Sequence, residues 1–335
     1  MSGSSLDGLD ACLAQFEKIG DMWAYHILES TTFPFPKDLA SKLKNSPTLD
    51  AQSLLALDVT YGLWIAKNIS SLVEHADLIS VHGHTVFHSP ADRVSLQIGS
   101  AEVIHLQSGK PVVSQFRNTD ILLGGQGAPL VPMGEKLLFP SFDAFLNLGG
   151  ICNATFRKEN RWLAGDIGPF NQVFNHYASM LGHALDADGE IARSGQLIPE
   201  LIQSWADNPY FRQPFPKSLA NQWVSSHFLD IKKFRPSDIL HSFAHFITDQ
   251  LSAVISGNNP ERLMITGGGA YNSFAMELLH QKCKTEINIP DSRLIDCKEA
   301  LIFGLLGLLR WRHEVNVLSS CTGAHRDSSS GVIYQ

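Results

Sequence analysis

Apolar residues recur along this chain in two rhythms, and the order of the rhythms repeats once. Residues 11–17 and 22–28 read as two strands around an Ile19-Gly20-Asp21 turn, which predicts a β-hairpin as the first element. Over residues 48–75, Leu54, Leu57, Tyr61, Ile65, Ile69 and Leu72 step by three and four, one apolar helical stripe. Short apolar runs follow at 77–81, 94–98 and 111–116, with a helix predicted from Ser100 to Gln107 between the last two. The second half opens with three short strands, 144–148, 153–156 and 162–164, then a helix over 171–182. A longer helix follows Pro236, with Ser237 expected as its N-cap, and closes before Gly257. The run 262–265 leads as a strand into Thr266-Gly-Gly-Gly-Ala270, and a last helix from Glu299 to about Arg312 carries Leu301, Leu305 and Leu308. Each half thus begins with a meander of strands and then alternates helix and strand. That order predicts an α/β chain of two similar lobes.

Composition narrows the picture. The chain has 335 residues, enough for roughly two domains of about 150 residues. Its composition, 44% apolar and 18% charged, is that of a globular protein. With 26 Lys and Arg against 33 Asp and Glu, the net charge is −7, which argues against sequence-independent nucleic-acid binding. No apolar run is long enough for a membrane span. The opening residues show neither a basic nor an apolar leader segment. Five scattered cysteines without a CxxC pair suit a reducing cytoplasm.

The candidate chemistry gathers at Gly-rich turns. Three of them, Ser2-Gly-Ser-Ser-Leu-Asp-Gly8, Gly165-Asp-Ile-Gly-Pro169 and Thr266-Gly-Gly-Gly-Ala270, sit at expected strand ends. Glycine lets backbone N–H groups approach an anion closely. Ser4 and Ser5 add hydroxyls, and Asp7 would hold Mg²⁺ through water. None of the turns matches a Walker loop or a GxGxxG fingerprint; a plain tight turn is the competing reading of each. Asp166, where a buried strand gives way to a Gly-Pro turn, is the carboxylate placed to take a proton. His82, His84 and His88 line a polar pocket from a loop, serve structure or, with His84 and His88 four apart, hold a metal. Arg117, after the strand 111–116, suits an anionic ligand, with a surface pair to Asp120 as the alternative. The polar turn Asp188-Gly-Glu190 with Arg193 reads equally as a hinge or a substrate loop.

Taken in order, these residues resemble the anhydro-N-acetylmuramic acid kinase family, within the actin-like sugar kinase and Hsp70 ATPase superfamily. The resemblance runs through Ser2–Asp10, His82-Gly-His-Thr-Val-Phe-His88, Gln97-Ile-Gly99, Phe116-Arg-Asn-Thr-Asp120 and Gly124-Gly-Gln-Gly-Ala-Pro-Leu-Val-Pro132. It continues through Asn147-Leu-Gly-Gly-Ile-Cys-Asn153, Gly165-Asp-Ile-Gly-Pro-Phe-Asn171, Ala187-Asp-Gly-Glu190, Thr266-Gly-Gly-Gly-Ala-Tyr-Asn272, Lys298-Glu-Ala300 and Cys321-Thr-Gly-Ala324. The resemblance implies two actin-like, ribonuclease H-like lobes, 1–138 and 139–335, with a nucleotide cleft between them and a tail from about 313 returning to the first lobe. It implies an ATP- and Mg²⁺-dependent kinase that opens the 1,6-anhydro ring of anhydro-N-acetylmuramic acid by hydrolysis. The same reaction phosphorylates O6, giving N-acetylmuramic acid 6-phosphate in cell-wall recycling.

By position, Gly3, Ser4, Ser5, Asp7 and Gly8, with Gly149, Gly150, Gly267, Gly268 and Gly269, would hold ATP, and Asp7 the Mg²⁺. Asp166 would be the catalytic base. His82, His84, Arg117, Asp120 and Glu299 would line the sugar, Arg117 meeting its lactyl carboxylate. The implied partner is a small anhydro amino sugar, with no nucleic acid and no membrane; a homodimer stays open. Ile167 stands where the family has Thr and His84 where it has Gln, and these two departures favour the alternative, a non-catalytic ATP-binding module with a degenerate site. The family also places a strand before the first turn, where this sequence starts at Met1.

Overall fold

The computed structural model describes residues 1–2, 6, 8–159 and 161–335. The chain divides into two compact units, residues 1–140 with 297–335, and residues 141–296. Both are α/β.

The first unit opens with a long hairpin, β1 (Gly8–Ile19) and β2 (Met22–Pro34). Gly20 makes its turn at φ 63°, a left-handed conformation that costs a residue without a Cβ little. Then come α1 (Lys37–Lys44), α2 (Ala51–Asn68) and the one-turn α3 (Ser70–Val73). The predicted apolar stripe lands as expected: Leu57, Tyr61 and Ile65 of α2 are buried, and Ile69 and Leu72 carry the same face through α3. Asp50 caps α2 by accepting the Ser53 N–H at 3.0 Å. β3 (Ile79–Ser80) is followed by a second hairpin, β4 (His84–Ser89) and β5 (Val94–Ile98), then α4 (Ala101–Ser108), β6 (Val112–Ser114), α5 (Asn118–Leu122) and α6 (Val131–Leu138). The histidine segment expected as a loop is therefore largely strand. Thr85, Val86 and Phe87 are β-branched or aromatic and suit a pleated surface.

The second unit is built on β7 (Ala144–Leu148), β8 (Ile151–Lys158) and β9 (Arg161–Pro169), an antiparallel meander. Helices α7 (Asn171–Ser179), α8 (Glu190–Arg193), α9 (Pro199–Ala206), α10 (Asn221–Phe228) and α11 (Pro236–Asn258) follow. β10 (Arg262–Thr266) then pairs with β7 in parallel, and after α12 (Ser273–Lys282) the strand β11 (Glu286–Asn288) pairs with β10 in parallel. Counted by appearance, the sheet order is 3-2-1-4-5. An antiparallel meander extended beyond its first strand by two parallel strands in succession is the order a ribonuclease H-like lobe requires. Its core is centred on α11, whose Ile239, Leu240, Phe243, Phe246, Ile247 and Leu251 are fully buried.

Two boundaries differ from the pattern-based expectation. α11 starts at Pro236 itself, with Arg235 and not Ser237 at the cap position. Proline's fixed φ suits the first helical residue, where no N–H is needed. The last long helix, α13 (Ser292–Trp311), begins seven residues before Glu299 because the apolar pattern counted there left out Leu294 and Ile295, both buried. After it, α14 (Ser319–Thr322) and β12 (Val332–Tyr334) complete the first unit, where β12 pairs antiparallel with β6 and β3 pairs parallel with it.

Candidate active site

Asp166 sits on β9 at a β-bulge. Asn153 pairs with Asp166 and Cys152 with Gly168, so Ile167 is the extra residue. The bulge separates two roles. Ile167 is 1% exposed and belongs to the core, while one Asp166 carboxylate oxygen accepts the Leu219 N–H at 2.8 Å. The Thr-to-Ile departure thus falls on a core-facing side chain. The backbone of Asp166 is fixed from both ends: its N–H donates to the Lys217 carbonyl at 2.8 Å, and its carbonyl accepts the Tyr210 hydroxyl at 2.8 Å. Burial pushes the carboxyl pKa up from 3.8 to about 6, against the opposing pull of the Leu219 N–H and the Lys217 ammonium. A carboxylate with that pKa is a competent base near neutrality.

Asp166 is the end of a polar row. Across the sheet, Thr266 pairs with Asn147, Asn147 with Asn153, and Asn153 with Asp166, and partners in register share a face. The Thr266 hydroxyl is buried without a hydrogen-bond partner among the described residues. Only Asp166 of this row stood out in the sequence; the two asparagines and the threonine lay inside quoted motifs whose registers no spacing reveals.

The glycines of this unit close around the end of β7. Gly149 and Gly150 form the β7–β8 turn, and their carbonyls take the N–H groups of Phe170, Asn171 and Gln172 at the start of α7. Gly267, at φ 84°, lies so close that a Cβ would meet Leu148 N at 2.9 Å. A Cβ on Gly269 would strike the Phe170 ring at 2.5 Å, whereas at Gly268 the nearest atom is Asn171 Nδ2 at 3.6 Å. Gly267 and Gly269 have no room for a side chain, and Gly268 is the position with an open approach.

In the first unit Arg117 and His82 form one assembly. Arg117 donates from Nε and a terminal nitrogen to His82 Nε2 at 3.1 and 2.8 Å, and from its other terminal nitrogen to the Gly127 carbonyl at 2.7 Å. His82 Nδ1 lies 2.9 Å from the Gly83 carbonyl, so that nitrogen carries the proton and Nε2 accepts. Burial first, and the Arg117 charge second, hold His82 neutral well below its usual pKa. Burial lowers Arg117 to about 10, still protonated at neutral pH, and the Glu299 charge opposes that drop. Glu299 is itself pushed up by burial, with Lys298 and then Asp10 the next influences on it. A cavity of about 250 Å³ adjoins His82, lined among others by Asp58, Gln97, Ser100 and Gln115. Gln115 holds a strained φ of 57° two residues before Arg117. Nothing in the sequence singled out Asp58 or Gln115.

The other expected residues take different places. Both Asp120 oxygens are engaged by the chain itself, one by the Gly127 N–H at 2.7 Å and the other by the Thr322 hydroxyl at 2.7 Å. Asp120 therefore positions the Gly124–Pro129 loop that carries the Arg117 anchor. His84 bonds the Leu43 backbone, and His88 lies 3.1 Å from the Ser95 hydroxyl. On an extended strand four residues span about 13 Å, so the helical metal spacing does not apply. Among the described residues, no three or more His, Cys, Asp or Glu side chains group so as to hold a metal. Gly8 is part of β1, where a Cβ would meet the Phe33 carbonyl at 2.7 Å. The Asp188 turn is a built corner: Asp186 caps the Ile191 and Ala192 N–H groups, and Arg193 forms a two-pronged pair with Glu277. Gly3, Ser4, Ser5 and Asp7 lie outside the described residues.

Comparison with known proteins agrees along the full length. The family model described as anhydro-N-acetylmuramic acid kinase matches residues 1–335. A protein of that name from Francisella tularensis subsp. novicida is 32% identical, covering 97% of this chain and 94% of its own. Another from Aliivibrio fischeri is 31% identical over 100% and 97%. A solved ROK family glucokinase from Streptomyces griseus aligns with 89% of this chain and 99% of its own, at 12% identity and a TM-score of 0.40. On the full-length match, the chain belongs to the anhydro-N-acetylmuramic acid kinase family and is a phosphotransferase.

Proposed function

We propose that this kinase converts 1,6-anhydro-N-acetylmuramic acid, water and ATP into N-acetylmuramic acid 6-phosphate and ADP. The observation that carries the reading is Asp166, held at the β9 bulge with its pKa raised to about 6. Asp166 takes a proton from water as the water oxygen attacks the anomeric carbon. The bond from that carbon to O6 breaks, and the freed O6 attacks the terminal phosphorus of ATP, with ADP leaving. Phosphoryl transfer of this kind asks the protein for positioning and charge neutralisation more than for covalent chemistry.

Arg117 meets the sugar's carboxylate. It is charged and pre-oriented by the Gly127 carbonyl and by His82, whose own side of the site opens on the 250 Å³ cavity. His84 and Glu299 complete the sugar side, with Asp120 as a positioning residue. The phosphates lie on Gly149, Gly150 and Gly267–Gly269, with Gly3, Ser4, Ser5 and Gly8 as the second cradle. Mg²⁺ is ordinarily held by one or two carboxylates plus substrate phosphates and water, so Asp7 alone suffices as its protein ligand. When bound, the ion neutralises charge on the transferred phosphate.

None of the five cysteines is joined in a disulfide, and no helix among the described residues is long and apolar enough to cross a membrane. Both suit a reaction in the cytoplasm. The test is mass spectrometry of the products after incubation with ATP, Mg²⁺ and the anhydro sugar. A phosphosugar heavier by one water and one phosphoryl group is expected. ATP binding without that product would sink the reading.

A further inference from the structure

Pro209, Pro214 and Pro216 leave the stretch 208–219 few N–H groups for a ladder, and it packs against β9 without becoming a strand. β9 is the edge of its sheet, so N–H groups along its outer side need partners from outside the sheet. The Asp166 N–H finds one in the Lys217 carbonyl at 2.8 Å. Two glycines make the approach possible. A Cβ on Gly165 would meet that same carbonyl at 2.8 Å, and one on Gly168 would meet the Phe211 ring at 3.2 Å.

Three hydrogen bonds close a ring through this contact. The Asp166 N–H donates to the Lys217 carbonyl, the Lys217 ammonium to the Tyr210 carbonyl at 3.2 Å, and the Tyr210 hydroxyl to the Asp166 carbonyl at 2.8 Å. The ammonium also lies 4.5 Å from the centre of the Tyr210 ring, whose face attracts a cation. Lys217 is thus fixed at its backbone and at its head. Two residues on, the Leu219 N–H takes one Asp166 carboxylate oxygen and leaves the other for water.

Among the described residues, the titratable side chains that face Asp166 are Cys152 from β8 and Tyr210 and Lys217 from this stretch, while α11 meets β9 through Ile247 at Gly168. Burial pushes the Cys152 thiol up to about 12 and raises the Tyr210 phenol, so both are neutral at neutral pH. Burial lowers Lys217, against the pull of Cys152 and Asp166, and it remains the cation of the group. A nearby cation favours the ionised form of a carboxyl.

We infer that Lys217 is a positioning residue for the base: its ammonium keeps the Asp166 carboxylate ionised in a buried place, and its carbonyl fixes where that carboxylate points. Its role rests on Asp166 taking the water proton in the reaction proposed above. That proton goes to Asp166, and Lys217 keeps its own throughout.

The first readout is kcat against pH for the full chain with ATP, Mg²⁺ and the anhydro sugar. Lys217→Met should move the acid limb up by at least about half a pH unit, a loss of about threefold below the limb with the alkaline plateau little changed. Lys217→Gln, also neutral, is read alongside and should match it, and Lys217→Arg should return the limb to the parent's position. A merely structural lysine would lower kcat at every pH alike. The second readout needs no turnover: a double-mutant cycle of Lys217→Met with Asp166→Asn in chemical denaturation. At pH 8, Asp166→Asn should stabilise Lys217→Met more than it stabilises the parent, by about threefold in the unfolding equilibrium, and at pH 4 the difference should vanish. Additive changes at pH 8 overturn the proposal, and so does an acid limb that stays in place in both neutral variants. Non-additive changes in a chain whose kcat has no acid limb would uphold the hold of Lys217 on Asp166 and sink Asp166 as the base instead.

Discussion

At the scale of single residues, the surroundings of Asp166 set its strength as a base and also its cost to the fold. Its pKa is about 6 in the folded chain against 3.8 ordinarily, so the folded state holds the proton more tightly than the unfolded one. Stability from this group is therefore full below pH 3.8, falls as pH rises through the window to about 6, and stays lower above it. Two units correspond to about 3 kcal/mol. Asp166→Asn keeps an acceptor for the Leu219 N–H and removes the charge. Turnover should be abolished at every pH while nucleotide binding is nearly unchanged. Chemical denaturation should show the variant more stable than the parent by up to about 3 kcal/mol at pH 8 and little different at pH 4. The parent's kcat should fall tenfold per pH unit below about 6. Equal stability of the two proteins at pH 8 would remove the argument that burial tunes this carboxylate. Arg117→Lys tests the sugar side: an ammonium cannot reach His82 and the Gly127 carbonyl together. KM for the sugar should rise at least tenfold, with KM for ATP unchanged.

At the scale of elements, much of the fold was legible because local patterns and tertiary burial agree. The stripe from Leu54 to Leu72 faces the core of the first unit, and the three-strand meander with a later parallel strand appears where apolar runs and glycines placed it. What stayed hidden depends on pairings far apart in the chain. The Asp166 carboxylate is met by an N–H 53 residues away, and Asp120 by a hydroxyl 202 residues away. No local propensity encodes either bond. Asp120 was expected against the sugar and is found holding a loop, because a buried carboxylate must be paired and the nearest donors are Gly127 and Thr322. This clasp makes its own prediction. A Cβ on Gly125 would stand 2.2 Å from an Asp120 oxygen, so Gly125→Ala must push the carboxylate or the loop aside. Asp120→Ala leaves two donors without their acceptor, a loss of about 2–5 kcal/mol. Both variants should lower Tm and raise KM for the sugar through the displaced Gly127 carbonyl. Thr322→Val, which removes one donor while leaving the loop's own bond intact, should lower Tm with KM unchanged. A rise in sugar KM for Thr322→Val as large as for Asp120→Ala would show that the loop is not what transmits the effect.

At the scale of the whole molecule, most of the described residues proposed for each ligand fall in one unit, with Asp166 in the second and Gly8 in the first as the exceptions. The described residues assigned to the anionic sugar, His82, His84, Arg117 and Glu299, belong to the first unit, and Gly149, Gly150 and Gly267–Gly269 to the second. Each ligand should therefore leave its own footprint. A ligand that binds only the folded chain stabilises it by about 2.7 kcal/mol at a hundredfold excess over Kd, and its contacts slow local opening where it sits. With the anhydro sugar alone, hydrogen exchange should slow within 82–127. With a non-hydrolysable ATP analogue and Mg²⁺, it should slow around 149–150 and 267–270. Omitting Mg²⁺ should weaken the nucleotide's effect and leave the sugar's untouched, because the ion is placed on the phosphates and not on the sugar. A non-catalytic nucleotide module gives the second footprint without the first. Its Tm would rise with nucleotide and stay unchanged on adding sugar, which separates it from the kinase without a turnover assay. The two rises in Tm from the kinase's ligands, measured together, should at least add.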